Sequence, residues 1–170
     1  MVYAFTNKKR IQFDAVKGTR ATYTFPFSDQ YTLPSTLNIP KVITRLCFDS
    51  SVFTRVVATM RFLGITKLLK RKKVRGFFAE LIDKSRVGTD TFAIKIDAHT
   101  DSGTVGLSFS GSNQSKLTAN VTAIVALSLY ENNVSTGVFN IEELFELVSL
   151  NDKKLMMRLK DTTIHYAIDS

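Results

Sequence analysis

Cysteine is almost absent from this sequence, because Cys47 is the only one in 170 residues. A single thiol can form neither an internal disulfide nor a zinc site built from several cysteines. The composition therefore fits a reducing compartment, and the cytoplasm is the expected location.

Long apolar runs are missing as well. No stretch reaches the roughly 20 apolar residues that a helix needs to cross a bilayer. The first ten residues, MVYAFTNKKR, carry no apolar segment ahead of their basic cluster, so no signal peptide is expected. We therefore expect a soluble chain with no membrane partner.

Glycine-rich phosphate loops are a third absence. A dinucleotide-binding turn needs G-x-G-x-x-G, and a P-loop needs G-x-x-x-x-G-K-[ST]. The nearest approach is SGSNQSKLT, residues 110–118, where a strand is expected to pass into a helix. This segment holds Gly111 alone, with Lys116 five residues later. No cofactor-binding residue is therefore assigned in this chain.

Catalytic and metal-binding sets are also missing. His99 and His165 lie far apart in the sequence, without neighbouring cysteines or paired carboxylates. We expect both on strands as ordinary polar residues. No nucleophile stands beside a base, and no pair of carboxylates has a diagnostic spacing. No catalytic residue and no metal ligand is assigned, and the chain alone is expected to be inert.

Apolar residues are plentiful, at 44% hydrophobic and 11% aromatic. Such a chain can bury a full core, and we expect residues 1–170 to form a single domain. Alternating apolar and polar residues predict strands at 10–16, 19–27, 42–49, 92–99, 104–111 and 163–168. Helical spacing predicts helices at 52–63, 76–84, 117–131 and 141–148, with Asp49, Ser50 or Ser51 capping the first.

The order of these elements predicts the fold class. Strands precede helices, with no internal repeat and no low-complexity linker. We therefore expect an α+β fold, in which helices pack on one face of a mainly antiparallel mixed sheet to form a two-layer sandwich. The helix at 117–131 has so little polar surface that we expect it to be buried.

Three prolines interrupt FPFSDQYTLPSTLNIP, residues 25–40, which reads as a loop. Loops carry function more often than strands do. Asp29, Gln30, Tyr31 and Thr32 offer polar groups that suit a polar amino-acid ligand. The plain alternative is a crossover loop whose polar groups meet water.

Charge is divided unevenly along the chain, whose net charge is +8. Residues 1–86 hold 17 Lys or Arg against 5 Asp or Glu, whereas residues 87–170 hold 6 against 10. The basic half can indicate nucleic acid, an anionic surface, an anionic small molecule or a neighbouring domain of opposite sign. Charge alone does not choose among them.

Six of the cations fall within residues 67–75. The plain interpretation is a solvated helix end, where cations complement the negative pole of the helix dipole. A nucleic-acid site would have interleaved aromatic side chains for stacking, whereas Phe77 and Phe78 are expected in the core. Nucleic acid is therefore the weaker alternative.

The order and spacing of three segments carry a resemblance to a known family. The segments are FPFSDQYTLPSTLNIPKV, LSFSGSNQSKLTANVTAIVALSLYE and STGVFNIEELFE, and they span residues 25–146. Together they resemble the C-terminal region of the saccharopine dehydrogenase-like oxidoreductases. In that family a Rossmann domain that binds NAD or NADP precedes a substrate-binding and dimerisation domain built from a sheet and helices.

The resemblance covers only the second of those domains. It implies that this chain is a truncated C-terminal part of a longer enzyme whose Rossmann domain, its partner within the parent chain, is absent. It also implies a homodimer, an amino-acid-type or carboxylate substrate, and hydride transfer at a carbon bonded to nitrogen. NAD or NADP would serve the parent enzyme, and this chain would hold no cofactor.

Four further residues are candidates for substrate binding. Arg45 can pair bidentately with a carboxylate, although a solvated or salt-bridged arginine is the simpler role. Gly111 allows a ligand to approach closely, Gln114 adds a neutral donor, and Asn113 lies among the free N–H groups of a helix start. The plain alternative is that Ser112, Asn113 or Ser115 caps the helix.

Two other function classes stay open beside the oxidoreductase domain. The chain can instead be a stand-alone binding module for a small anionic ligand, or a nucleic-acid-binding protein. Self-association is expected for the oxidoreductase domain. Its apolar helices and sheet have more apolar surface than a single sheet layer and a single helix layer can cover.

Overall fold

A computed structural model describes residues 3–13, 18–85, 88–151 and 154–169. The chain groups into two compact units, and the single domain expected over residues 1–170 stays a prediction. The first unit comprises Met1–Gln12, Thr19–Gln30 and Val42–Thr89, and the second comprises Phe13–Gly18, Tyr31–Lys41 and Asp90–Ser170.

The first unit contains a small antiparallel sheet. Strand β1 (Thr6–Gln12) pairs with β2 (Thr19–Thr24), and β2 pairs in turn with the two-residue strand β3 (Arg45–Leu46). The β1–β2 hairpin is confirmed, and Gly18 has the positive φ of +61° that favours glycine after the turn. Residues 14–17, which include the end of the strand predicted at 10–16, lie outside the described residues.

Aromatic side chains form a cluster in the first unit. The Phe5 ring lies 5.7 Å from Tyr23, 6.1 Å from Phe25 and 5.9 Å from Phe48, measured between ring centroids. Phe48 also contacts Phe53 at 4.8 Å. Each aromatic ring removes a large apolar area from water, so this cluster holds helix α2 (Ser51–Phe62) against the sheet.

Helix α2 begins at a cap that the sequence predicted. The Ser50 hydroxyl accepts a hydrogen bond from the Phe53 N–H at 3.2 Å. The buried Thr54 hydroxyl donates to the Ser50 carbonyl at 2.9 Å and lies 3.0 Å from the Phe48 N–H, which donates to it. Gly64, with φ +72°, follows the C-cap Leu63, and each end of the helix lies within one residue of the predicted bounds, 52–63.

The proline-bounded segment departs from its prediction. Helix α1 (Asp29–Thr36) occupies much of residues 25–40, with Pro34 inside it, so the prediction of a loop was wrong. Proline removes one backbone donor, but the turn around it stays bonded, because the Thr36 hydroxyl donates to the Thr32 carbonyl at 3.1 Å. The Leu37 N–H donates to the Leu33 carbonyl at 3.0 Å.

The basic run meets its prediction only in part, because Lys67 and Lys70 lie in the last turn of a short helix, whereas three later cations lie at a helix start. It spans a 3₁₀ helix (Ile65–Lys70) and the start of α3 (Lys72–Ser85). Lys72, Lys73 and Arg75 therefore lie at the positive pole of the α3 dipole rather than at a negative pole. The predicted core side chains of Phe77 and Phe78 lie outside the described side chains.

The second unit contains a long hairpin and a three-stranded sheet. Strands β4 (Thr91–Thr100) and β5 (Gly103–Ser112) pair antiparallel in ten matched positions, as predicted. Strand β6 (Phe145–Asn151) pairs with β7 (Lys154–Leu159), and β7 pairs with β8 (His165–Asp169). His99 and His165 lie on β4 and β8, as expected.

One helix covers the three-stranded sheet. Phe145, Met157, Leu159 and Ile168 are buried, and they pack against helix α4 (Gln114–Glu131). The contacts from α4 come from one stripe, which consists of Leu117, Val121, Ile124 and Val125. This pairing of sheet and helix forms the core of the second unit.

The burial of α4 was predicted too broadly. Ala119, Ala123 and Ala126 are exposed, and Tyr130 is 89% exposed. An apolar side chain is buried only where another element covers it, and the sheet covers one face of this helix. The expectation of a fully buried helix was therefore wrong.

The predicted helix at 141–148 is shorter than expected. Helix α5 (Ile141–Leu144) ends where Phe145 takes extended dihedral angles and opens strand β6. A register shift between Leu147 and Ser149 interrupts the alternation in β6, which explains why the strand was missed. The predicted strand at 42–49 is also shorter, at Arg45–Leu46.

The α+β class is confirmed. Within the described residues the strands form three small antiparallel sheets of three, two and three strands, accompanied by five α-helices. The two-layer sandwich of Rossmann-associated type stays a prediction.

The start of α5 leads to a pH-dependent prediction. The Asn140 N–H donates to the Glu143 carboxylate at 2.7 Å, and the Asn140 side-chain amide donates at 2.9 Å. These bonds, backbone first, lower the pKa of Glu143 below its ordinary value, and the nearby Lys160 charge adds to the effect. A lowered pKa stabilises the folded state above the ordinary pKa, and this contribution is lost as pH falls through the lowered value.

Glu143→Gln should therefore lower the melting temperature at neutral pH, and the deficit should shrink as the solution is acidified below pH 4.5, the ordinary pKa. Thermal unfolding of both proteins across a pH series measures the difference. A deficit that stays constant from neutral to acid pH would show that the charge of the Glu143 carboxylate does not stabilise the start of α5.

Candidate functional site

The predicted site residues lie on four elements. Asp29, Gln30, Tyr31 and Thr32 form the first half of α1, and Arg45 lies on β3. Gly111 lies near the end of β5, Asn113 caps α4, and Gln114 is its first residue. The first unit holds Asp29, Gln30 and Arg45, and the second holds the other five.

The first two residues of α1 use polar atoms to hold the local fold. One Asp29 carboxylate oxygen accepts from the Gln30 N–H at 2.9 Å, and the other accepts from the Thr44 hydroxyl at 2.7 Å. The Gln30 side-chain amide donates to the Phe25 carbonyl. These bonds tie the start of α1 to the segment before β3, whereas Tyr31 is exposed.

Arg45 also has a structural partner. Its guanidinium donates to the carbonyl of Asn7, a residue with φ +47° at the irregular start of β1. Arginine carries five N–H donors in a planar fork, so this bond leaves donors for a carboxylate. The side chain is half-buried.

The start of α4 is the best-defined of the predicted sites. Asn113 adopts the left-handed conformation, with φ +55°, and its side-chain oxygen accepts from the Lys116 N–H at 3.0 Å. Its own N–H donates to the Asp90 carbonyl at 2.8 Å. Gly111 pairs with Phe92 across the hairpin. The capping role of Asn113 is therefore confirmed.

The electrostatics of this helix start favour an anion. The first N–H groups of an α-helix lack partners within the helix and carry the positive end of its dipole. No acidic residue lies in the first turn of α4, and Gln114, Ser115 and Lys116 are exposed. The segment can donate hydrogen bonds to a carboxylate, although it holds no group that performs chemistry.

No metal centre is present among the described residues. No group of three or more His, Cys, Asp or Glu side chains lies close enough to hold an ion in the parts of the chain that the structure covers. Cys47 is a half-buried thiol.

The β4–β5 hairpin carries an apolar face that site prediction missed. Its side chains are paired directly across the two strands, as Ile94 with Phe109, Ile96 with Leu107, and Ala98 with Val105. Phe109 is buried, but Ile94, Ile96, Val105 and Leu107 are 51%, 55%, 65% and 44% exposed. We call this set, with Phe92, the hairpin face.

The alternation of β4 and β5 was visible in the sequence. A regular apolar face ordinarily indicates a face that the same chain covers. Nothing in the sequence indicated that Ile94, Ile96, Val105 and Leu107 are exposed to solvent.

Helix α2 carries a second apolar surface, in the first unit. An open groove of about 290 Å³ runs along one side of the helix. Its walls all belong to α2 or the residue after it, and they are Val52, Arg55, Val56, Thr59, Met60 and Leu63. We call these residues the α2 stripe.

Comparisons with known proteins add no relative. No family model, no curated protein and no solved structure matches this chain. Separately, within the described residues, no helix is both long enough and apolar enough to span a membrane.

The conformation of Asn113 leads to a prediction with its own control. Asn113→Ala removes the cap and leaves a β-carbon in the left-handed region, so it should destabilise the protein by about 2 kcal/mol. Asn113→Gly tolerates the same φ and should destabilise the protein by only a few tenths of a kcal/mol. Urea denaturation of the three proteins measures both effects. Equal losses for alanine and glycine would show that Asn113 does not hold this conformation.

Proposed function

We propose that the chain is the substrate-binding and dimerisation domain of a saccharopine dehydrogenase-like, NAD(P)-dependent oxidoreductase. The observation that carries the proposal is the order and spacing of the three resembling segments within residues 25–146. An α+β unit built from antiparallel sheet and a covering helix is compatible with it. The single cysteine supports a cytoplasmic location.

The proposal divides the chemistry between two domains. The nicotinamide of NAD or NADP supplies the hydride chemistry in such an enzyme, and a Rossmann domain holds it. The part of this chain is to bind a small amino-acid-type or carboxylate substrate, orient it and exclude water. The chain alone is then inactive.

The substrate-binding residues in the proposal lie at two helix starts. Tyr31 and Thr32 in α1 offer hydroxyl groups, and the start of α4 offers backbone N–H groups beside Gly111 and the amide of Gln114. Arg45, on β3 of the first unit, is a separate candidate, because its guanidinium has donors left for a carboxylate. The polar atoms of Asp29 and Gln30 hold α1 in place, so these two residues would position their neighbours.

The chain should bind neither NADH nor NADPH tightly by itself, because no segment supplies the glycine turn that receives a pyrophosphate. Titration of the purified chain with each nucleotide, followed by fluorescence, measures this. A dissociation constant in the low micromolar range would reveal a nucleotide site and contradict the division of roles.

The gene provides the matching positive test. The reading frame upstream of the Met1 codon should encode a strand, a G-x-G-x-x-G turn and a helix. An upstream sequence without that fingerprint would remove the oxidoreductase proposal, and the anionic-ligand module would take its place.

Dimerisation in the proposal uses the hairpin face. This face offers seven apolar residues and no charge, so a second copy of the same face can cover it without burying an unpaired charge. A two-fold axis brings the same residues together from both subunits. An isolated two-stranded hairpin is marginally stable in water, and sheet-on-sheet packing would stabilise it.

Leu107→Asp should abolish the dimer, because two-fold symmetry places one carboxylate from each subunit at the centre of the apolar face. Ser108→Asp is the matched control, since Ser108 lies next in sequence on the opposite face, across from Lys95. Light scattering over a concentration series measures the mass of each protein.

The wild type and Ser108→Asp should approach twice the 19.1 kDa of one chain, and Leu107→Asp should stay at the mass of one chain with unchanged circular dichroism. A wild-type protein that remains a monomer at high concentration and binds no hydrophobic dye would contradict dimerisation through this face.

A further inference from the structure

Helix α2 presents an exposed apolar line that no part of its own unit covers. Val52, Val56 and Leu63 are 68%, 47% and 62% exposed. Their spacing of four and seven residues places them on one side of the helix. The buried side of α2 is a different one, marked by Thr54. Phe62, at 89% exposed, flanks the line at its end.

Cations accompany this line along the sequence, with no acidic residue among them. Residues 51–75 contain eight Lys or Arg and no Asp or Glu. Arg55 lies within the α2 stripe itself. The six that follow α2 are exposed, and they are Lys67, Lys70, Arg71, Lys72, Lys73 and Arg75. In the part of the chain that the structure describes, none of these six forms an ion pair.

The position of three of these cations is electrostatically unfavourable. Lys72, Lys73 and Arg75 lie in or beside the first turn of α3, where the helix dipole is positive and where no acidic residue compensates them. An anion that binds there relieves the repulsion among the cations and satisfies the dipole. The basic residues therefore favour an anionic partner.

The shape and chemistry of the surface distinguish among anionic partners. An acidic peptide helix binds in a groove formed between elements, whereas the walls of this groove all belong to one convex helix. Nucleic acid would bind the cations but would leave Val52, Val56 and Leu63 in water. A helix lying in a lipid interface inserts its apolar side chains among acyl chains and places Lys and Arg at the headgroups.

We propose that the first unit docks on an anionic lipid surface through the α2 stripe and the basic residues 67–75. The expectation of no membrane partner rested on the lack of a spanning segment, and surface docking requires none. The inference is independent of the oxidoreductase proposal, because it uses none of the residues named there for substrate binding or dimerisation.

Vesicle sedimentation tests the proposal. The chain should sediment with vesicles of phosphatidylcholine and phosphatidylserine, and should stay in solution with vesicles of phosphatidylcholine alone. Added salt should weaken the binding, because surface potentials are screened within a Debye length. Absence of binding to the mixed vesicles, or equal binding to both kinds, would overturn the proposal.

Paired variants separate docking from general charge attraction. The double substitution Lys72→Gln and Lys73→Gln should weaken binding to the mixed vesicles about thirtyfold, because each lysine near an anionic lipid surface strengthens binding about fivefold. Lys8→Gln with Lys9→Gln removes the same charge from exposed positions on β1 and should have a much smaller effect. Equal losses for the two pairs would overturn the proposed location.

Val56→Asp tests the apolar contribution. It should reduce vesicle binding at least tenfold but shorten retention on a heparin column only slightly, because one carboxylate offsets only one of the eight cations in residues 51–75. Circular dichroism establishes that each variant is folded, and the lysine variants, at exposed positions, test the proposal even if Val56→Asp unfolds. Undiminished vesicle binding by a folded Val56→Asp protein would overturn insertion, and a nucleic acid or other polyanion would become the favoured partner.

Discussion

Uncovered apolar surface is the physical constraint on which this account depends. Among the described residues, five large apolar side chains are buried, and many more are exposed. Water strongly disfavours such surface, so the two units need cover that their own elements do not supply.

The exposed apolar surfaces of the two units differ in the charge that accompanies them. The hairpin face has no charge, which favours a second copy of the same uncharged face. The α2 stripe has Arg55 within it and six exposed cations after it, which favours an anionic surface with an apolar interior. Each proposal therefore follows from the charge that accompanies the apolar residues rather than from the apolar residues alone.

Local signals explain what the sequence predicted correctly. The Ser50 cap, the Asn113 cap and the β4–β5 hairpin depend on residues within a few positions of one another. The wrong predictions depend on distant contacts, as with α4, whose composition did not show that the sheet covers one face only. The same holds for the candidate site, since the bonds of Asp29 to Thr44 and of Arg45 to Asn7 join separated segments.

The proposed cover of the hairpin face can be measured directly by amide hydrogen exchange of β4 and β5 at several protein concentrations. If a second copy covers this face, protection of the β4–β5 amides should rise with concentration, while protection of the α4 and β7 amides should stay constant. Fast exchange of the hairpin amides that is the same at every concentration would show that the face stays open to water and would contradict the account.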